Sequence, residues 1–212
     1  MEQAFLTLYM TKHIFSYLAL GDSYTIGEAV ALYESFPYQT IQLLRNAGLH
    51  FHAPEIVAKT GWTTFELAEH IMHSRLNEHY DFVTLLIGVN NQFRKLNADD
   101  YKADFEFLLH KAIHFAADKC EHVIVLSIPD YGLTPFARKM DRQKISAGID
   151  DFNGINKEIS NAHKVNYLNI TGANRQNSLD ENFFASDGLH PSGKEYSQWA
   201  TLLKEKMVLL TK

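Results

Sequence analysis

Cysteine is almost missing from this chain: Cys120 is the one thiol in 212 residues. A single thiol forms no intramolecular disulfide and no thiolate metal site by itself, so the fold does not depend on an oxidising compartment and a reducing cytoplasm suits it. Glycine and proline are sparse, 11 and 5 residues, which excludes collagen-like and low-complexity architectures. No run of about 18 uncharged apolar residues exists to span a bilayer, so membrane insertion is not expected. No basic cluster exceeds a pair such as Arg138-Lys139, and the net charge is −5. A phosphate-backbone footprint is therefore missing, and nucleic acid is not an expected partner. Neither G-x-G-x-x-G nor G-x-x-x-x-G-K-[ST] occurs, so no glycine loop is available to cradle nucleotide phosphates.

What the chain does have is apolar material: 46% hydrophobic and 12% aromatic residues against 21% charged. That is enough side-chain area to offset the entropy of ordering one core. Met1 to Tyr9 carries an apolar patch (Ala4, Phe5, Leu6, Leu8) but begins with Glu2 and has neither a basic n-region nor a small-residue cleavage site. No signal peptide is read there, and cytoplasmic localisation is the expectation. Met10 offers an alternative start, and the first strand signal begins only at Ile14. Residues 1–12 are accordingly read as an N-terminal extension and 13–212 as one domain.

Short apolar runs alternate with longer segments of helical period, the pattern of βαβ units. Strands are expected at Ile14–Leu20, Glu55–Ala58, Phe82–Ile87, His122–Ile128 and Val165–Ile170. Helices are expected at Pro37–Asn46, Thr64–Leu76, Ala98–Lys119, Asp141–His163 and Gly193–Val208. In the third of these, Phe105, Leu108, Leu109, Ala112 and Ala116 recur at helical spacing and form one stripe for the sheet. The fold class is α/β: three α/β/α layers around a five-stranded parallel sheet. Two capping boxes mark helix starts, Thr63 with Glu66 and Ser192 with Glu195.

Four polar fragments fall where strands end. Gly21-Asp22-Ser23-Tyr24 follows the first strand, Gly61 the second and Gly88-Val89-Asn90-Asn91 the third; Asp187-Gly188-Leu189-His190 precedes the last helix. Loops past the carboxyl ends of parallel strands gather at one edge, where ligands bind. Acyl transfer needs a nucleophile, a base, a group to orient the base, and donors for an oxyanion, and the fragments offer one of each. Each is weak alone: G-x-N recurs at Gly154-Ile155-Asn156 and at Gly172-Ala173-Asn174. Their order and placement carry the signal. The α/β-hydrolase elbow G-x-S-x-G is not present, because Gly21-Asp22-Ser23-Tyr24-Thr25 ends in Thr.

From Tyr17 to Ser192 the four fragments resemble the blocks of the SGNH hydrolases, the GDSL esterase and lipase superfamily. That resemblance implies a flavodoxin-like fold and a serine esterase acting without cofactor or metal on a small-molecule ester. Carried over, Ser23 is the nucleophile, His190 the general base and Asp187 the group orienting it. The oxyanion hole comprises the Ser23 and Gly61 amides and the Asn90 side chain. One departure stands out: Asn91 occupies a position where the family commonly carries Asp. No insertion is long enough to serve as a lipase lid, so short acyl or acetyl esters are expected, with lysophospholipids and acyl thioesters as further candidates.

Trp62, Tyr131 and Phe184 are the expected substrate-binding residues, with Phe136 and Phe183 also flanking the site. Arg138 or Lys139 is a candidate for an anionic leaving group. Asp22 reads as structural, holding its turn through side-chain to backbone bonds. His110 and His114 have the i, i+4 spacing of a helical zinc pair, while His50 with His52 and His70 with His73 share faces. None has a third ligand nearby in sequence, and they read as solvated or edge positions. Two other readings stay open, a non-catalytic ligand-binding protein on the same scaffold and a nucleotide or flavin binder. The oligomeric state is also open, a homo-oligomer being compatible with the sequence.

Overall fold

Leu18, Ala19 and Leu20, Phe82, Val83 and Leu85, and Val123 to Leu126 expose no surface at all. Runs that are apolar on both sides of the pleat can only sit between two covering layers. The computed structural model describes residues 13–211 and places these runs at the centre of one sheet. Its strands are β1 Tyr17–Gly21, β2 Glu55–Ala58, β3 Phe82–Leu86, β4 Val123–Leu126 and β5 Asn166–Leu168. All pair in parallel, in the order β2-β1-β3-β4-β5. The chain is thus an α/β protein of the flavodoxin-like strand order. The expected extension, residues 1–12, lies outside the described residues.

The helices are α1 Ser23–Ile26, α2 Phe36–Asn46, α3 Thr64–His73, α4 Val89–Phe93, α5 Ala98–Phe115, α6 Arg142–Ala162, α7 Thr171–Asn177 and α8 Gly193–Leu210. Right-handed crossovers send the chain outward from β1 once through α2, and then the other way through α3, α5 and α6. The helices therefore divide between the two faces. On one, α2 packs on α8, with Phe36 6.0 Å from Trp199 and 6.3 Å from Tyr196 between ring centroids. On the other, α5 lies between α3 and α6 and packs Tyr101 against Phe152, ring centroids 4.3 Å apart and tilted by 38°. The stripe expected on α5, Phe105 through Ala116, is the face it buries. Among the described residues no helix is long and apolar enough to cross a membrane.

Several boundaries differ from the sequence expectation for local reasons. The first strand starts at Tyr17 rather than Ile14, because the Asp81 carboxylate takes the Ser16 amide at 2.7 Å and its hydroxyl at 2.9 Å. The third long helix stops at Phe115, where Ala117 and Asp118 turn into left-handed backbone (φ 54° and 60°) without a glycine to announce it. The Thr63–Glu66 capping box forms, with the Thr63 amide donating to Glu66 Oε2 at 2.8 Å. The one expected at Ser192 does not. Its hydroxyl donates instead to the Asn182 carbonyl at 2.6 Å, and Glu195 is buried, accepting from Asn177 Nδ2 and Trp199 Nε1.

Gly88, the hinge between β3 and α4, is required by both backbone and space. Its φ is 127°, and a Cβ there would lie 2.5 Å from the Tyr101 hydroxyl, which donates to buried Asn156 Oδ1 at 2.5 Å. Gly88→Ala is therefore expected to cost about 2–4 kcal/mol. Gly154, exposed on α6 with open space around it, makes the control, and Gly154→Ala should gain about 0.5–1 kcal/mol. Denaturant midpoints at unchanged m-value measure both, and equal effects would refute the assignment.

Candidate active site

The strand order reverses between β1 and β3, since the chain leaves β1 to one side and returns on the other. At such a switch point the loops diverge and leave a crevice. Ser23 stands just past β1 and Asn90 just past β3. Asp22 caps α1 in extended backbone, its Oδ1 accepting the Tyr24 amide at 3.0 Å. This turns the chain sharply, so that Ser23 opens the helix while staying 5% exposed.

His190 reaches Ser23 from the other end of the chain. Asp187 Oδ1 accepts the Leu189 and His190 amides at 2.9 and 3.0 Å, closing a tight turn. That turn brings the imidazole back over the same carboxylate, where His190 Nδ1 lies 2.6 Å from Asp187 Oδ2. The other ring nitrogen, Nε2, is 3.0 Å from Ser23 Oγ. Tyr24 meets the imidazole edge-on at 5.6 Å and is itself backed by Trp199 at 6.4 Å, so the ring is held from beneath. A hydroxyl, an imidazole and a carboxylate thus stand in hydrogen-bonded series.

Burial alone would raise the Asp187 carboxyl. The hydrogen bonds from the His190 ring and from the Leu189 and His190 amides outweigh it and hold the group below the usual carboxylate range. Asp22 is the opposite case. Its Oδ2 has no partner among the described residues, and burial pushes the carboxyl up to about 7 against the lowering pull of the Tyr24 amide.

Gly61 sits in left-handed backbone (φ 83°), with its carbonyl accepting from Arg94 Nη2 at 2.5 Å. Asn90 Nδ2 donates to the Trp62 carbonyl at 2.9 Å, which uses one of the two amide hydrogens and fixes the side chain. The Ser23 and Gly61 amides donate no hydrogen bond among the described residues. Asn91 is buried and faces away from Ser23, towards α3. Its Oδ1 accepts the Thr64 amide at 3.1 Å and its Nδ2 donates to Thr64 Oγ1 at 2.8 Å.

These residues border a cavity of about 150 Å³. Ser23, Gly61, Asn90, His190 and Tyr131 all line it, as the sequence suggested, and so does Phe136. Trp62 and Phe184 do not. The Trp62 ring packs on His70 of α3 at 4.7 Å, and Phe184 lies behind the cavity, beside Pro129 and Pro191. Arg138 is paired at 2.8 Å with Glu181. Phe93 and Leu189 are lining residues that the sequence reading missed. Phe93 could have been found, since it is one helical turn past Asn90 and so on the same face.

Comparison with known proteins bears on the family and the fold. The profile of the GDSL-like Lipase/Acylhydrolase family matches residues 19–197. Among solved structures, a lipase/acylhydrolase from Enterococcus faecalis is similar over 92% of this chain and 95% of its own, at 21% identity and a TM-score of 0.70. An acetylxylan esterase from Geobacillus stearothermophilus is similar over 92% and 94%, at 16% identity and 0.72. These likenesses show the fold. No curated protein matches the chain.

The raised Asp22 carboxyl makes stability depend on pH in a definite direction. Below about pH 4 both the folded and unfolded chains hold the proton; between there and about 7 the unfolded chain releases it first. The folded state therefore loses stability as pH rises through that window, and the loss is complete above it. Asp22→Asn keeps a capping oxygen and removes the titration. Its stability relative to the parent should rise from pH 4.5 to pH 8 by more than about 1 kcal/mol. Urea midpoints that shift in parallel for both proteins would contradict this.

Proposed function

The chain belongs to the GDSL-like lipase/acylhydrolase family, whose members hydrolyse ester bonds, and on that premise we propose that it is a serine esterase of short-chain acyl esters, acetyl esters foremost. The observation that carries the proposal is the series Ser23 Oγ, His190 Nε2 and Asp187 Oδ2, spaced at 3.0 and 2.6 Å, on the wall of a cavity of only about 150 Å³. Pockets for drug-sized ligands run from about 300 Å³ upward. A space half that size takes an acetyl or slightly longer acyl group.

In this reading His190 Nε2 accepts the Ser23 proton as Oγ attacks the ester carbonyl. Asp187 keeps the imidazole in the tautomer with hydrogen on Nδ1 and stabilises the imidazolium. The carbonyl oxygen, now negative, takes hydrogen bonds from the Ser23 and Gly61 amides and from the second Asn90 Nδ2 hydrogen, donors fixed before the reaction begins. Collapse of the tetrahedral intermediate breaks the bond to the alcohol oxygen, which leaves with the proton from His190. Water then gives His190 a proton and attacks the acyl-serine, and the carboxylic acid departs as the proton returns to Ser23 Oγ. Every proton is accounted for by His190, so the chemistry calls for no metal or cofactor. The setting we propose is the reducing cytoplasm, supported by a chain whose single cysteine is free.

p-Nitrophenyl esters from acetate to decanoate test the proposal. Turnover should peak at acetate to butyrate, vanish in Ser23→Ala, and fall in kcat by about 10²–10³ in Asn90→Ala. Circular dichroism checks that each variant is folded. An optimum at long chains would overturn the short-acyl assignment, and serine-independent turnover would overturn the mechanism.

A further inference from the structure

At the edge of the sheet away from Ser23, α5 and α6 bring three side chains together. Glu106 and His110 are four residues apart on α5 and so share a face. His163 is the cap residue just past the C-terminus of α6. Its Nε2 lies 2.8 Å from Glu106 Oε1, and its ring meets that of His110 edge-on, with centroids 4.6 Å apart. One ligating atom from each of the three lies within 4.8 Å of the others. Among the described residues this is the one place where three histidine, cysteine or carboxylate groups converge in that way. His163 stands just before β5 begins, whereas Ser23 stands just after β1 ends. Since the strands are parallel, the two clusters occupy opposite edges.

We propose that Glu106, His110 and His163 form a binding site for a divalent transition-metal ion, zinc by preference, that ties α5 to α6. Two imidazole nitrogens and one carboxylate oxygen are the donor set of a borderline cation; calcium and magnesium favour shells made of oxygen alone. The His110 ring is exposed and the other two groups half-buried, so their side-chain bonds are free to rotate towards the roughly 2.0–2.2 Å that zinc takes from such ligands. Solvent reaches the fourth tetrahedral position, and water fills it. The competing cation, Lys102, is turned to Glu158 at 3.5 Å. The sequence pairs His110 with His114 by spacing, but His114 faces His79, at 6.1 Å between ring centroids. The partner that completes the site comes from a different helix.

Zinc binding to the full chain, freed of metal with a chelator and desalted, tests the site by calorimetric titration and by the shift in Tm. The wild type should show a saturable zinc site and a Tm that rises with zinc, while magnesium and calcium at the same concentrations leave Tm unmoved. Because partners of metal ligands are themselves worth 10–100-fold in affinity, loss of a ligand in His110→Gln or His163→Gln should weaken that site by about 100-fold or more. Circular dichroism confirms folding, and His110→Gln, altered at an exposed ring, decides the matter where His163→Gln is unstable. No saturable binding by the wild type, or undiminished zinc binding by a folded His110→Gln chain, overturns the proposal.

Discussion

Every strand of this sheet runs in the same direction, and that constraint governs the rest of the molecule. A parallel strand can be followed by its neighbour only after a crossover, and right-handed crossovers place a helix on a face determined by the direction of travel. The loops that leave the strands then emerge at a single edge, with β1 and β3 adjacent at the point where the direction changes. Ser23, Gly61 and Asn90 are far apart in sequence but meet because each follows a strand. His190 is the exception, brought in by the loop before α8, which is held where the Ala185 amide donates to the His190 carbonyl at 2.8 Å and the Phe136 amide to the Gly188 carbonyl at 2.9 Å.

Within the crevice, each polar group divides its bonding capacity between scaffold and cavity. Asp187 spends one oxygen on two backbone amides and the other on the imidazole. Asn90 spends one hydrogen on the Trp62 carbonyl. Gly61 gives its carbonyl to Arg94, which also reaches Glu66 at 3.3 Å on the capped turn of α3. Groups anchored in this way are positioned before any ligand arrives, which is what electrostatic stabilisation of a developing charge requires. Asp22 shows the cost of the same compactness. Its cap on α1 is made, but the second oxygen is buried with no partner among the described residues.

The elements that were legible in the sequence are those whose own side chains carry a period. β2 occupies Glu55–Ala58 as expected, and the buried stripe of α5 is the one its spacing dictates. Where partners far along the chain decide, the sequence was silent. α7, with the sequence Thr-Gly-Ala-Asn-Arg-Gln-Asn, has no apolar stripe. Ser127 Oγ accepts the Ile170 and Thr171 amides at its start, at 2.9 and 3.0 Å, and Arg175 bonds Asp130 at 2.9 Å from within it. The site was legible in its polar members because each sits at a strand end or in a turn of fixed spacing. Its aromatic wall was less so: Trp62 and Tyr131 both flank the crevice, and only the tertiary packing of Trp62 on His70 turns one away and leaves the other facing in.

Asn91 shows how a departure from the usual family residue is absorbed by its surroundings. Its amide hydrogen goes to Thr64 Oγ1, so the Thr64 hydroxyl keeps its own hydrogen for Asp104 Oδ2, 3.0 Å away. The chain of bonds runs one way, from amide to hydroxyl to carboxylate. An aspartate at position 91 could accept from the Thr64 amide just as well, but its second oxygen would compete with Asp104 for a single hydroxyl hydrogen, and two carboxylates would face one donor. With Asp104 on the first turns of α5, asparagine is the residue that lets α3, α4 and α5 share one polar contact with every group satisfied. That contact fixes the start of α4 on which Asn90 is carried, so the substitution supports the placement of the neighbouring amide.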